Sequence, residues 1–360
     1  MIYKSMTTQK HFDVVTIGGA MRDFTCFTKD GVILKKEQAH ALLAFPYGSK
    51  LSFTSLFMTL GGGACNTAVI FRKLGFVVGI ITSLGDDVHG KAILNELKRE
   101  DIDTSAVSRT PKEKTGMSFI IATEQTKEHV VFAYPGAIDL LTLNASVLSQ
   151  IHTPWWYLTS LGGPKHHWLA NLRTLFRIVQ KKKQRIAWNP GKKQIREGLQ
   201  TLRPFLWRTT VFALNMEEAK DFVASFTPRL VDYLKGKTQT KQSQYLAEKI
   251  KATGPQRVVI TDGSRGAYAF DGKHFLFRRA TPTKPHDTTG AGDAFNASFV
   301  AGQIYCPHAE NIGLSLELGT MNADAQIRRV GAQEGLLQWK EIVPRLRKNF
   351  RDHLRTCGRR

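Results

Sequence analysis

Short β-branched runs alternating with amphipathic helical stretches constrain this chain more than any other feature. Residues 12–17 (FDVVTI) form an apolar strand pattern that closes on Gly18-Gly19, a tight turn. Further strand patterns fall at residues 75–83, 118–122, 130–133, 155–160, 186–189, 211–215, 257–261 and 267–270. Between them, residues 91–100 place Ile93, Leu94 and Leu97 on one helical face. Residues 167–180 form an apolar stripe of Trp168, Leu172, Leu175, Phe176 and Val179, and Arg173, Arg177 and Lys181 fall four apart on another face. This alternation predicts an α/β domain whose largely parallel sheet carries helices on both faces. Residues 225–244, polar and broken by Pro228 and Gly236, read as the least structured stretch.

Composition excludes several classes. With 42% hydrophobic and 22% charged residues the chain is globular, neither disordered nor collagen-like. No apolar run reaches the roughly 18 residues that span a bilayer. The opening MIYKSMTTQKHF has no apolar signal segment, so the expectation is a soluble cytoplasmic protein without membrane partners. Cys26, Cys65, Cys306 and Cys357 are far apart and make no C-x-x-C pair. Reduced thiols are expected rather than a disulfide framework or a zinc site.

Charge is uneven. Lys and Arg number 51 against 30 Asp and Glu, a net +21. Residues 165–208 hold twelve Lys/Arg and one acid, and residues 340–360 hold eight and two. Such fields attract phosphates, on small molecules or on nucleic acids; a solvated basic face is the plainer expectation.

Chemistry concentrates in residues 287–295 (DTTGAGDAF), which open an apolar helical run. Gly290, Ala291 and Gly292 can present backbone N–H groups at a helix N-terminus, an anion site. Asp293 then lies in the first turn, beside whatever anion is held there. An acid in that position is unfavourable unless it has a task, and accepting a proton from an attacking hydroxyl fits. Gly85, Gly90 and Lys91 imitate a Walker A loop, but Ala92 replaces the required Ser/Thr and Asp86 and Asp87 would repel phosphates.

The 287–302 string resembles the C-terminal signature of the PfkB (ribokinase-like) family of sugar and nucleoside kinases. Residues 60–68 (LGGGACNTA), continuing through Gly75 and Gly85-Asp86-Asp87 to Gly90, resemble its N-terminal signature. The resemblance covers residues 12–339. It implies a ribokinase-like three-layer sandwich with a mostly parallel central sheet and a small β lid, built from residues 24–59 and 108–135. The kinase domain would run over residues 12–340, followed by a basic tail, 341–360. It implies ATP-dependent phosphorylation of a hydroxyl, with ATP and Mg2+ as cofactors and Asp293 as base. Asp23, Gly62, Gly63 and Asn66 would bind a sugar, a nucleoside being the alternative substrate. Asn215, Thr261, Gly263, Gly266 and Asn322 would bind ATP. Glu218 would orient water around Mg2+, and Asp287 and Thr289 would hold a monovalent cation such as K+. The lid would also serve a homodimer. Pro135 stands where relatives often carry Arg, and Gly63 where some sugar kinases carry Lys; both departures bear on the substrate. A reading of another class, a catalytically silent, nucleic-acid-associated subunit, draws on the basic stretches and is opposed by the intact 290–293 string.

Overall fold

The computed structural model describes residues 10–34, 42–123, 129–306 and 312–349. Its main sheet has eight strands in the order Phe275–Arg279, Gly266–Phe270, Arg257–Thr261, Val211–Asn215, Arg185–Trp188, Trp155–Leu158, Val14–Ile17 and Val78–Ile81. The last six are mutually parallel and the first two antiparallel. Strands such as VVTI, VGII and WWYL are apolar throughout because helices cover both faces. Successive side chains point to opposite layers: Trp155 and Tyr157 join one buried cluster, Trp156 and Leu158 the other. Helices Gly63–Lys73, Val88–Arg99, Ala291–Tyr305 and Ile312–Gln326 pack on the first face. Lys165–Lys181, Gly198–Leu206, Met216–Ala224 and Gln239–Ala252 pack on the second.

Val14–Ile17 pairs with Val78–Ile81 on one side and Trp155–Leu158 on the other, so the chain order reverses at this strand. Crevices at such switch points, beyond the strands' C-terminal ends, are where open α/β sheets bind ligands. The chain leaves the main sheet there, through Gly18-Gly19, and builds a second sheet in the order His129–Tyr134, Gly116–Thr123, Met21–Thr28, Ser55–Gly61. This four-stranded sheet, with the hairpin Val32–Leu34/Leu42–Ala44, comes from the segments expected to form a β lid.

Several expectations change. Residues 75–83 do not form one strand: Val78–Ile81 stays in the main sheet, while Ser83–Gly85 pairs in parallel with Ser108–Thr110. Residues 225–244 contain helix Leu230–Leu234 and the first turns of Gln239–Ala252, which Thr238 caps by accepting from the Lys241 N–H. Burial of Leu246, Ala247 and Ile250 anchors that helix, a tertiary term that polarity near its start conceals. Trp339–Asn349 is helical, with Ile342 and Leu346 fully buried, so the basic tail begins inside the fold; residues 350–360 lie outside the described residues. Cys26 and Cys65 are free and buried, but Cys306 is disulfide-bonded, against the expectation of reduced thiols throughout. Spacing along the chain reports local cysteine motifs and is blind to a long-range pair; Cys357 lies outside the described residues. No helix among the described residues is long and apolar enough to cross a membrane. On Lys165–Lys181 the expected apolar stripe is buried, and Arg173, Arg177 and Lys181 are exposed.

Candidate active site

The helix Ala291–Tyr305 starts at Gly290, whose φ of 74° is left-handed. A Cβ on Gly290 would also lie 2.7 Å from the Ala332 Cβ, so conformation and space both demand glycine. No side chain caps this helix. The Ala291 N–H already reaches the Thr288 carbonyl at 3.2 Å. Gly292 faces open space, with no atom within 4 Å of where its Cβ would be, which leaves its backbone accessible to an anion.

Asp293, half-buried in the first turn, accepts a 2.8 Å hydrogen bond from Asn66 Nδ2. Asn66 belongs to helix Gly63–Lys73, which begins at the cap Gly62. Its amide orientation is set from behind: Gln333 Nε2 donates to Asn66 Oδ1 (3.0 Å) and to the Leu60 carbonyl (3.2 Å). Lys73 Nζ in turn holds the Gln333 carbonyl at 2.9 Å. With its oxygen occupied by a donor, Asn66 must present its NH2 to Asp293.

Asp23 lies on Met21–Thr28, in register with Thr59 and Ser118. It is buried, and its carboxylate accepts from the Ser118 hydroxyl. Gly61 makes room for it, since a Cβ there would fall 1.9 Å from Asp23 Oδ2. The adjacent Arg22 is buried and paired with Glu96 through two bonds of 2.8 and 3.1 Å, tying the second sheet to helix Val88–Arg99.

These acids sense one another. Burial pushes the Asp293 carboxyl up to about 6; the Asn66 bond pulls it down and the Asp23 charge pushes it further up. Burial likewise raises Asp23 to about 6, opposed by Ser118 and Arg22 and reinforced by Asp287. Asp287 is buried and fastens two turns, its oxygens accepting from the N–H groups of Thr289 (2.8 Å) and Gly331 (2.9 Å). The Thr289 hydroxyl is buried without a hydrogen-bond partner, an oxygen open to a ligand.

Asn215 and Thr261 end neighbouring parallel strands in register, on the same sheet edge as Gly18. Asn215 and Glu218 form a reciprocal capping box of 2.9 Å bonds, so the N-x-x-E pattern has a local folding role of its own. Glu218 is half-buried, and burial raises its carboxyl above the ordinary range. Gly263 opens the turn Gly263–Arg265, and Gly266 begins the next strand. Asn322 does not join this group. It is fully buried, its NH2 donating to the Ser298 hydroxyl (2.8 Å) and its oxygen accepting from the Leu337 N–H (2.9 Å). The residue expected to bind ATP thus has its amide spent on internal packing.

Asp23, Asn66, Asp287 and Asp293 thus converge from three separate stretches of sequence. Sequence reasoning missed Gln333, Ser118 and Gly61. Ser118 and Gly61 become legible only through strand register; Gln333 carries no local sign of its partner.

Comparison with known proteins gives the family and the fold. The profile described as pfkB family carbohydrate kinase matches residues 12–339. An uncharacterized sugar kinase of Archaeoglobus fulgidus is 28% identical over 266 residues, covering 73% of this chain and 96% of its own. A nucleoside kinase of Methanocaldococcus jannaschii is 23% identical over 337 residues, covering 92% and 99%. The solved structure of Arabidopsis thaliana ribokinase complexed with ribose and ATP superposes with a TM-score of 0.72 at 18% identity, covering 93% of this chain and 98% of that one.

Proposed function

The chain belongs to the pfkB family of carbohydrate kinases, and from that premise we propose that it transfers the γ-phosphoryl group of ATP to a primary hydroxyl of a sugar, with Asp293 as general base. The observation that carries this reading is the Asn66–Asp293 contact beside the Gly290–Gly292 turn. It puts an oriented carboxylate next to backbone donors suited to a phosphoryl group. Asp23 accepts hydrogen bonds from the acceptor's hydroxyls. Asp293 takes the proton of the attacking hydroxyl, whose oxygen then forms the new bond to phosphorus as ADP leaves. The Gly292 amide stabilises charge on the transferring group. Asn215, Thr261, Gly263 and Gly266 flank the nucleotide.

Among the described residues no cluster of three metal-ligating side chains exists. This suits Mg2+, which binds mainly to phosphates and water. Glu218 fits a role in orienting that water, because its capping bond engages one of its two carboxylate oxygens. When bound, Mg2+ neutralises phosphate charge. Asp287 and the unpartnered Thr289 hydroxyl would hold a monovalent cation. A coupled assay over a panel of sugars and nucleosides tests the whole assignment: turnover of a sugar supports it, turnover of nucleosides alone moves the substrate to the alternative, and no turnover refutes it. Exchange of K+ for Li+ in the same assay should lower kcat; an unchanged rate removes the cation.

Because Asp293 must be ionised to accept a proton, kcat/KM should rise with pH through about 6 and fall about tenfold per pH unit below it. Asp23 titrates in the same range, so the acid limb belongs to the pair. A flat profile down to pH 4 would remove Asp293 as base.

The second sheet supports homodimer formation. Leu56, Met58, Phe119, Val130 and Phe132 are all exposed on one face of it, a patch that pairing with a second copy would cover. Phe132→Asp should convert a dimer to monomer in light scattering; a monomeric wild type refutes the dimer. The nucleic-acid reading rests on Arg173, Arg177 and Lys181, exposed along one helix. Their replacement by Gln should leave kcat within about threefold. If the wild type binds DNA in a salt-dependent way and the triple variant shows a shallower salt slope, that reading revives.

A further inference from the structure

At the N-terminal edge of the main sheet, opposite the proposed active site, lies a cavity of about 820 Å³ lined by Trp155, Lys182, Lys183, Arg185 and Ile304 among others. Ile304 and Gly290 stand at opposite ends of the fifteen-residue helix Ala291–Tyr305, roughly 20 Å apart at 1.5 Å per residue. Trp155, Arg185 and Arg257 each begin a strand of the same sheet. By strand alternation all three point to the same layer, since Ala187 and Val259, two residues along from the arginines, share the cluster of Trp155.

The cations here are not matched by acids. Among the described residues, Lys182, Lys183, Arg185 and Arg257 make no salt bridge. The larger cavity lined by Lys10, Arg72 and Arg109 differs in this respect. There each of the three is paired, with Asp103, Asp101 and Asp86. The Arg185 guanidinium is placed over the Trp155 ring, 5.5 Å from its centroid. The Nε of Arg257 is buried with no hydrogen-bond partner. Its guanidinium is held below its ordinary value by burial and then by the Arg185 charge. The acid nearest in effect, Asp271, is occupied by its own turn, accepting from the Lys273 and His274 N–H groups and the His274 ring. Arg185, which lines the cavity, and Arg257, which feels its charge, together make a favourable field for a small anion.

We propose that this cavity binds the phosphate of a small phosphorylated molecule, through Arg185 with Lys183 beside it and the nearby Arg257 charge adding to the field. The site is separate from the kinase cleft and does not depend on the substrate assigned to that cleft. Its apolar wall of Trp155 and Ile304 favours a small ester over a nucleic-acid strand.

The test is calorimetric titration with inorganic pyrophosphate of the wild type and of the double variant Arg185→Gln/Arg257→Gln. The wild type should take up pyrophosphate at two sites per chain, this cavity and the kinase anion site. The double variant should keep one of them, with the other weakened at least tenfold and kcat unchanged. Identical isotherms for the two proteins overturn the proposal; a single wild-type site that the double variant loses supports it and counts against the kinase anion site instead. Binding of single-stranded DNA that the double variant loses, with no pyrophosphate bound here, would make the edge a strand-binding surface and also overturn it. If the double variant fails to fold, Arg185→Lys, which retains charge and loses the forked donors, should weaken the second site; unchanged binding overturns it.

Discussion

Asp293→Asn should lower kcat by about 10²–10⁴-fold, toward the upper end, while ATP binding stays near wild type. The amide loses the base but keeps an oxygen to accept from Asn66 Nδ2, and Gly290 and Gly292 are untouched. Retention of more than a tenth of the wild-type kcat at saturating substrate would exclude Asp293 as base. Stability gives a second readout with its own sign. The folded state holds the Asp293 proton up to about pH 6, the unfolded chain only to the ordinary carboxylate value of 3.8. The folded state therefore binds more protons between these values, and stability is lost as pH rises through them. Asn, which never ionises, escapes that loss. The variant should melt higher than wild type at pH 8, and the difference should shrink toward pH 4. A variant less stable at pH 8 would mean that the carboxylate is stabilised in place, contrary to its burial.

Asp23→Ala should act on the acceptor and not on ATP. Losing hydrogen bonds to a charged acceptor costs about 1.5–3 kcal/mol, or roughly ten- to a hundredfold in affinity. Asp23 is placed for this by register alone: it sits between Thr59 and Ser118 on a sheet that meets the main sheet at the switch point. Ser118→Ala should produce a smaller loss, because Asp23 keeps its place over Gly61 and loses one donor. Calorimetry with the sugar found in the substrate panel separates the outcomes. Unchanged acceptor affinity in Asp23→Ala removes it from the site, and an equal loss of ATP affinity would assign it to the nucleotide instead.

Much of the molecule is legible in one dimension. The strands at 155–158, 211–215 and 257–261 and the stripe on Lys165–Lys181 follow from periodicity, because a residue's burial there repeats with its own secondary structure. The glycine turn at 290 and the first-turn Asp293 are likewise local, since a helix N-terminus is defined by its own four N–H groups. The capping box at Asn215 and Glu218 spans only three residues.

What required three dimensions was every relation between distant residues. Asn66 and Asp293 are 227 positions apart, and Gln333 lies 267 from the Asn66 it orients. No spacing rule reaches across such distances, because these pairs are set by helix packing and strand register. The same reason explains Asn322: its sequence neighbourhood suggests a ligand contact, while the packing of Ser298 and the Leu337 N–H consumes its amide. The bond to Cys306 and the helix within residues 225–244 also answer to tertiary partners. The amino-acid sequence by itself determined the α/β class, the glycine turn at residues 290–292 and the acid beside it. Tertiary structure alone decided which side chains meet that acid, how far burial lifts its proton affinity, and which polar groups remain free for a ligand.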